Sequence, residues 1–269
     1  MRKSTRKRAF YFALISPVSA QTKAENGRED ETMKKWMILW AVVAVCILLG
    51  RENQSDAVMA DAGAEITVET KYVALTFDDG PKRGTTDVLL DGLRQRGVSA
   101  TFFLIGSQIA ANRDLVARMA AEGHQVGNHT WSHARLQGAG KAVIEAELSR
   151  TDELLTAILG EGDYWVRPPY GQLEEWERTL VDVPLVQWNV DTRDWESRDA
   201  EKVLAAILEA VEPGSIILLH DIYETSVKAA LAAVDVLQAQ GYWFVTVEEL
   251  LSLYGVEPQP GVLYRSGRG

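Results

Sequence analysis

Tyr72-Val73-Ala74-Leu75-Thr76-Phe77-Asp78-Asp79-Gly80-Pro81 sets an apolar run against two adjacent carboxylates and then a Gly-Pro turn. Val73-Ala74-Leu75 reads as a buried strand that Gly80-Pro81 ends abruptly, so Asp78 and Asp79 are expected at the mouth of the fold. Neighbouring side chains on an extended backbone diverge, which leaves the two acids free to hold different roles. By itself Asp-Asp-Gly-Pro is no more than a polar turn, since Asp and Gly favour turns for local hydrogen-bonding and backbone reasons. Its weight comes from the rest of the chain.

Short apolar runs alternate with amphipathic ones from Tyr72 onward, the pattern of strand-helix units around a parallel sheet in an α/β protein. Seven strands are expected, at Tyr72–Phe77, Ala100–Ile105, Gln125–Gly127, Tyr164–Val166, Leu185–Val190, Ser215–Leu219 and Trp243–Thr246. Helical periodicity is clearest over Thr85–Arg96, Asp114–Glu122, Lys141–Leu159, Asp199–Ala210, Ser226–Gln240 and Val247–Tyr254. Asp78-Asp79, His129, Arg167, Asp191 to Asp194 and His220-Asp221 each follow one of these strands directly. In a parallel barrel or open α/β sheet that is the carboxyl-end face, where sites are built.

The chain has 269 residues, 46% of them hydrophobic, which suits one large domain. Residues 1–60 read as a targeting region, 61–257 as a single catalytic domain and 258–269 as a flexible tail. Lys34-Lys35 precede the apolar stretch Trp36 to Leu49, a charged segment and a hydrophobic core that resemble a secretory signal or a retained membrane anchor. A second basic and apolar stretch lies upstream of it. Two export signals in tandem make little physical sense, and translation is expected to start at Met33.

From Asp61 onward 18 Lys and Arg stand against 32 Asp and Glu, a net charge of −14. Nucleic acid is excluded as a partner, because no basic stripe is present to meet a phosphate backbone. A monomer acting on a neutral or cationic polymer fits better. The single cysteine, Cys46, lies in the N-terminal apolar run, so any metal in the remainder must use histidine and carboxylate. Three of the four histidines, His124, His129 and His133, fall within ten residues. His129 and His133 are four apart, and one helical turn after the strand would bring both to one side. Two imidazoles need an oxygen ligand to make the open site of a hydrolytic metal, and either Asp78 or Asp79 could supply it. His124 reads as structural.

Thr76-Phe77-Asp78-Asp79-Gly80, His129-Thr130-Trp131-Ser132-His133, Arg167-Pro168-Pro169-Tyr170, Asp191-Thr192-Arg193-Asp194-Trp195 and Leu218-Leu219-His220 resemble the five ordered motifs of the polysaccharide deacetylases, carbohydrate esterase family four. The resemblance spans about Tyr72 to Leu251. It implies a distorted (β/α) barrel of about seven parallel strands and metal-dependent removal of acetyl groups from amino sugars. Residue by residue it implies Asp79, His129 and His133 as metal ligands, with zinc expected and cobalt or nickel also compatible. It implies Asp78 as general base and His220 as general acid, with Asp194, rather than Asp191, holding His220. Arg167 is expected to pair with Asp78 and the backbone N–H of Tyr170 to face the oxyanion. Pro168, Trp195 and Leu218 complete the expected substrate contacts, although ordinary packing also explains Trp195 and Leu218.

Two classes of function fit. One is an exported N-deacetylase of peptidoglycan N-acetylglucosamine, with chitooligosaccharide deacetylation and acetylxylan de-esterification using the same machinery. The other is a glycan-binding domain that has lost catalysis. Every expected base, acid and ligand is intact, which favours the enzyme.

Overall fold

The computed structural model describes residues 70–269. At its centre lies β1 (Lys71–Asp78), whose last six residues are all buried. β6 (Ile216–His220) runs parallel to it, with Ala74 opposite Ile216 and Asp78 opposite His220. β7 (Tyr242–Phe244) pairs with the amino-terminal end of β1 and β2 (Thr101–Leu104) with its carboxyl-terminal end. β3 (Gln125–Asn128) continues the sheet beyond β2, and β5 (Val190–Asp191) continues it beyond β6.

β4 (Leu185–Val186) and β8 (Leu263–Tyr264) form a second parallel pair. Single bridges from Asn128 to Val166 and from Val166 to Leu185 tie β3 to β4, and Ser215 meets Ser266 beyond β8. Through these links the strands close into a distorted (β/α) barrel.

The alternation along β1 explains how one strand serves both core and site. Val73, Leu75 and Phe77 pack outward with Leu89, Leu93, Val234 and Leu237 of the helices Thr86–Arg96 and Glu224–Ala239. Ala74, on the other face, joins Phe103, Trp165, Val186, Ile216 and Tyr264 inside the barrel. Thr76 and Asp78 share that inner face. A strand buried on both sides needs no polar alternation until its end, which is why β1 reads as a continuous apolar run. Gly127 is forced by the same packing, since a Cβ there would lie 2.6 Å from the Trp165 carbonyl and 2.7 Å from the Phe103 ring. Helix starts follow side-chain caps: Asp199 accepts from Glu201 and Lys202 N–H, and Thr246 and Glu249 cap one another reciprocally.

Three expectations need correction. Tyr164–Val166 contributes a bridge at Val166 rather than a strand, because Pro168 and Pro169 bring no N–H with which to continue pairing. Leu185–Val190 divides in two, since Gln187 N–H donates to Tyr264 while Asn189 N–H donates to Ile216, so the segment crosses between neighbours. Residues 258–269 are not a flexible tail: they carry β8, Tyr264 is buried, and Gly267 N–H donates to Gly214 O at 2.7 Å. The expected signal or anchor, and the expected start at Met33, lie outside the described residues. No helix among the described residues is long and apolar enough to cross a membrane.

His124 is buried beside Phe102, and its Nδ1 accepts the Ala100 N–H at 3.1 Å. Burial pushes its pKa down to about 4, so the neutral ring contributes stability that is full above pH 6.5 and lost as pH falls through about 4. His124→Phe is therefore expected to lower unfolding free energy at pH 7.5 by about 1–3 kcal/mol, leaving Ala100 N–H unpaired. That deficit should shrink between pH 6.5 and 4 in denaturant titrations. A deficit constant with pH would contradict the assignment.

Candidate active site

The ends of β1, β3 and β6 meet because their registers align Leu104 with Asn128 and Asp78 with His220. Arg167 enters beneath them. Its guanidinium is wholly buried, with Nη1 donating to Asp78 Oδ1 at 2.7 Å and Thr76 Oγ1 at 2.8 Å, Nη2 to Gln187 O at 2.9 Å and Nε to Val186 O at 3.4 Å. The Phe103 ring packs 4.2 Å from its centre. Burial works against its charge, and the adjoining Asp78 opposes that effect.

The Arg167 carbonyl accepts from His129 Nδ1 at 2.6 Å. A carbonyl only accepts, so Nδ1 carries the proton and Nε2 presents its lone pair to the site. That Nε2 lies 3.6 Å from Asp79 Oδ1 and 3.7 Å from Asp78 Oδ2, and His133 Nε2 lies 3.5 Å from Asp79 Oδ1. Asp79 Oδ1 is buried without a hydrogen-bond partner. Burial first, then the neighbouring His129, hold the His133 pKa below its usual value, which favours the neutral ring a metal needs.

Asp79, His129 and His133 therefore form a group that could hold a metal ion, with one ligand atom from each within 4.8 Å of the others. Tetrahedral ligands around zinc lie about 3.3 Å apart, close to the two shorter separations here. A buried, partnerless carboxylate oxygen facing two imidazole nitrogens fits a divalent cation. Asp79 has φ +74°, a left-handed conformation that turns it away from its strand neighbour Asp78.

The imidazole pair is not assembled by a helical turn. Residues 129–133 form an irregular bend with φ +67° at Thr130 and +60° at His133. Asn128 Oδ1 accepts the Thr130 N–H at 2.7 Å, and Glu147 of the helix Lys141–Leu159 accepts from both Ser132 N–H and Oγ. These bonds replace the helical ladder that the spacing suggested.

Across the site, His220 Nδ1 lies 2.8 Å from Asp194 Oδ1. Asp194 is fully buried and also accepts from His220 N–H, Trp195 N–H and Ser226 Oγ. Burial disfavours the His220 imidazolium, but the bond to Asp194 and its charge overcome this and raise the pKa to about 9. Burial likewise works to raise Asp194, and His220 more than offsets it, holding Asp194 below the usual carboxylate range. The stabilisation from His220 is full below pH 6.5 and lost as pH rises through about 9.

A cavity of about 380 Å³ is lined by Asp78, Asp79, His129, His133, Tyr170, Trp188, Asp191, Trp195, Leu218 and His220. Arg167 and Asp194 lie behind this lining, while Pro168 is buried under the turn and does not reach it. Asp191 is exposed, stays outside the His220 pair and accepts Arg193 N–H at 3.0 Å. Trp188 was not anticipated, because it sits within a run read as strand core. Asp221 was not assigned a role either. It is wholly buried, accepts from Thr86 Oγ1 and packs against Gly80, where any Cβ would collide with its carboxylate. Burial pushes it up to about 7. A larger depression of about 950 Å³, near Arg178, Pro260 and Arg265, contains none of these residues.

A barrel with a triad that could hold a cation, beside a buried carboxylate and a carboxylate-held histidine, is the kind of site that hydrolysis uses. The polysaccharide deacetylase family model matches residues 65–183. Peptidoglycan-N-acetylglucosamine deacetylase PgdA of Listeria monocytogenes is 38% identical over 194 residues, covering 72% of this chain and 41% of that protein. A T48 deacetylase solved with substrate superposes with TM-score 0.70 at 42% identity, over 72% of this chain and 96% of the other. A family 4 acetyl xylan esterase from Clostridium thermocellum, in complex with a cobalt ion, gives 0.70 at 33% identity over 73% and 98%. The chain belongs to the polysaccharide deacetylase family.

Asp194→Asn is expected to drop the His220 pKa well below about 9, because burial would then be opposed only by the more distant charges of Asp78 and Asp79. An NMR titration of the His220 ring measures this directly. A value still near 9 would show that another group holds the imidazolium.

Proposed function

We propose that this chain is an exported, metal-dependent polysaccharide N-deacetylase that hydrolyses the acetamide of N-acetylglucosamine residues in peptidoglycan. The observation that carries the reading is the pairing of Asp78 with His220 across β1 and β6, at the cavity that Asp79, His129 and His133 also line. The likeness to a peptidoglycan deacetylase supports the substrate. Lys34-Lys35 ahead of Trp36 to Leu49 supports export to the cell surface, with or without a retained anchor.

Asp79, His129 and His133 would hold the cation. When bound, a divalent ion such as zinc supplies Lewis-acid polarisation of the acetyl oxygen and acidifies water. Asp78, fixed by Arg167 through Oδ1, keeps Oδ2 toward the site and takes the proton of the attacking water. Water adds to the acetyl carbon, the C–N bond breaks, and the products are acetate and a free amine. His220 gives its proton to the departing nitrogen, which cannot leave as an amide anion. Asp194 keeps that imidazole protonated at neutral pH and occupies Nδ1, leaving Nε2 to the cavity.

The Tyr170 backbone N–H stabilises the oxyanion, and Leu218 with Trp195 encloses the acetyl methyl. Similarity to an acetyl xylan esterase supports a second reading, O-deacetylation, in which the leaving group is a sugar hydroxyl.

The test uses the full chain, stripped of metal and reloaded with zinc, on peptidoglycan, chitooligosaccharide and acetylated xylan. Amine release from peptidoglycan is expected, falling about 10²- to 10⁴-fold in Asp78→Asn. Acetate from xylan alone would favour the esterase. Release of neither product would leave only a glycan-binding role.

A further inference from the structure

The site opens into a groove that none of the reacting groups accounts for. Asp79 and His133 also line a smaller hollow of about 260 Å³ with Lys82, Gln108 and Ile222. Lys82 and Ile222 in turn line an adjoining depression of about 430 Å³ that reaches Arg83, Arg198 and Tyr223. The surface is thus continuous from the candidate metal ligands, past Lys82, to Arg198.

Its charge runs against the rest of the molecule. Residues from Asp61 onward carry a net −14, yet the outer depression has three cations and one carboxylate, Glu224. Arg83 is engaged, since its Nη2 donates to both oxygens of Asp114. Lys82 and Arg198 are not: among the described residues neither has a carboxylate partner. Lys82 Nζ donates to the Ile222 carbonyl at 3.0 Å, which holds the ammonium at the junction of the two hollows.

Arg198 is fixed as well. Its Nε donates to Trp195 O at 2.7 Å and its guanidinium lies 3.3 Å from the centre of the Tyr223 ring. One nitrogen and one face are thereby used, while both Nη groups are left for an incoming acceptor. A planar guanidinium immobilised in this way is suited to a carboxylate, which it can meet through two parallel hydrogen bonds.

We propose that the groove from Asp79 and His133 past Lys82 to Arg198 is a subsite for a carboxylate borne by the glycan beside the sugar being deacetylated. This rests on the deacetylase reading above and names its substrate class as an anionic glycan. Peptidoglycan offers such a group in two forms, the lactyl carboxylate of a peptide-free strand and the carboxylates of the attached peptide. Chitooligosaccharide and xylan backbones offer none. Lys82 supplies a point charge near the reacting sugar, and Arg198 supplies the geometry further out.

The test compares the zinc-loaded full chain with Lys82→Met, Arg198→Gln and the double variant on chitooligosaccharide, peptide-free strands and peptide-bearing strands. The double variant is expected to lose roughly 5- to 30-fold in kcat/KM on carboxylate-bearing strands, chiefly through KM, and less than about twofold on chitooligosaccharide. Lys82→Arg should retain most of the preference, whereas Arg198→Lys, which keeps the charge and loses the planar fork, should retain only part of it. The advantage should shrink with salt. Loss confined to peptide-free strands would assign the carboxylate to the lactyl group, loss confined to peptide-bearing strands would assign it to the peptide, and loss on both would show that the subsite takes either. Equal losses on neutral and charged substrates, or no loss at all, would overturn the subsite.

Binding is read separately by calorimetry with a lactyl-bearing disaccharide, a peptide-bearing disaccharide and their neutral counterpart. A chain inactive on every substrate, yet preferring a charged disaccharide through Lys82 and Arg198, would retain the subsite and overturn the deacetylase. Equal affinities for all three would overturn the subsite alone.

Discussion

The buried guanidinium of Arg167 is the constraint on which the site depends. An ion taken wholly out of water costs several kcal/mol unless its donors are satisfied, and four of the five N–H bonds of this one are spent on Thr76, Asp78, Val186 and Gln187. Those partners come from β1, from β4 and from the turn after β4, so the charge ties together distant parts of the barrel wall. The same residue fixes the tautomer of His129 through its carbonyl. The proposed base, Asp78, and the proposed cation ligand, His129, are thus oriented from one point, and neither can be moved without disturbing the other. Two prolines follow immediately, and they release the chain from the sheet at the place where Arg167 must turn inward.

Register does the remaining alignment. Because Asp78 and His220 are direct neighbours across β1 and β6, the proposed base and the proposed acid are placed by backbone hydrogen bonds, not by flexible loops. Their environments then differentiate them. Asp78 has a permanent cation beside it, whereas His220 has a buried carboxylate that raises its pKa to about 9. Two titratable groups set in opposite electrostatic surroundings at one cleft provide a basis for combined base and acid work near neutral pH.

Much of this was legible in the sequence because parallel strands end where chemistry begins. The run into Asp78, the polar residue after each apolar segment and the acid-rich balance all follow from local pattern. What escaped was set by long-range packing. Spacing alone suggested a helical turn for His129 and His133, but Ser132 is claimed by Glu147, fifteen residues on, and Asn128 closes the bend first. Residues 258–269 read as a tail because Gly and Pro recur through them, yet β4 would have an unpaired edge without β8. Trp188 and Asp221 carried weaker signals, an aromatic near the end of a broken strand and a second polar residue directly after His220.

The backbone records where the fold accepts strain for the sake of the site. Among the described residues the non-glycine positions with positive φ are Asp79, Thr130, His133, Tyr170, Arg193 and Arg198. All lie in loops at the carboxyl ends of the strands. Thr130 is the most costly in kind, since a β-branched side chain fits the left-handed region poorly. It is retained by bonds at both ends of its peptide unit, Asn128 Oδ1 accepting its N–H and Gly106 N–H donating to its carbonyl. Left-handed turns of this kind reverse the chain within one or two residues. They allow Asp79, His129 and His133 to converge from two strands, their ligand atoms within 4.8 Å of one another. The rigid, doubly buried barrel beneath is what makes that local cost sustainable.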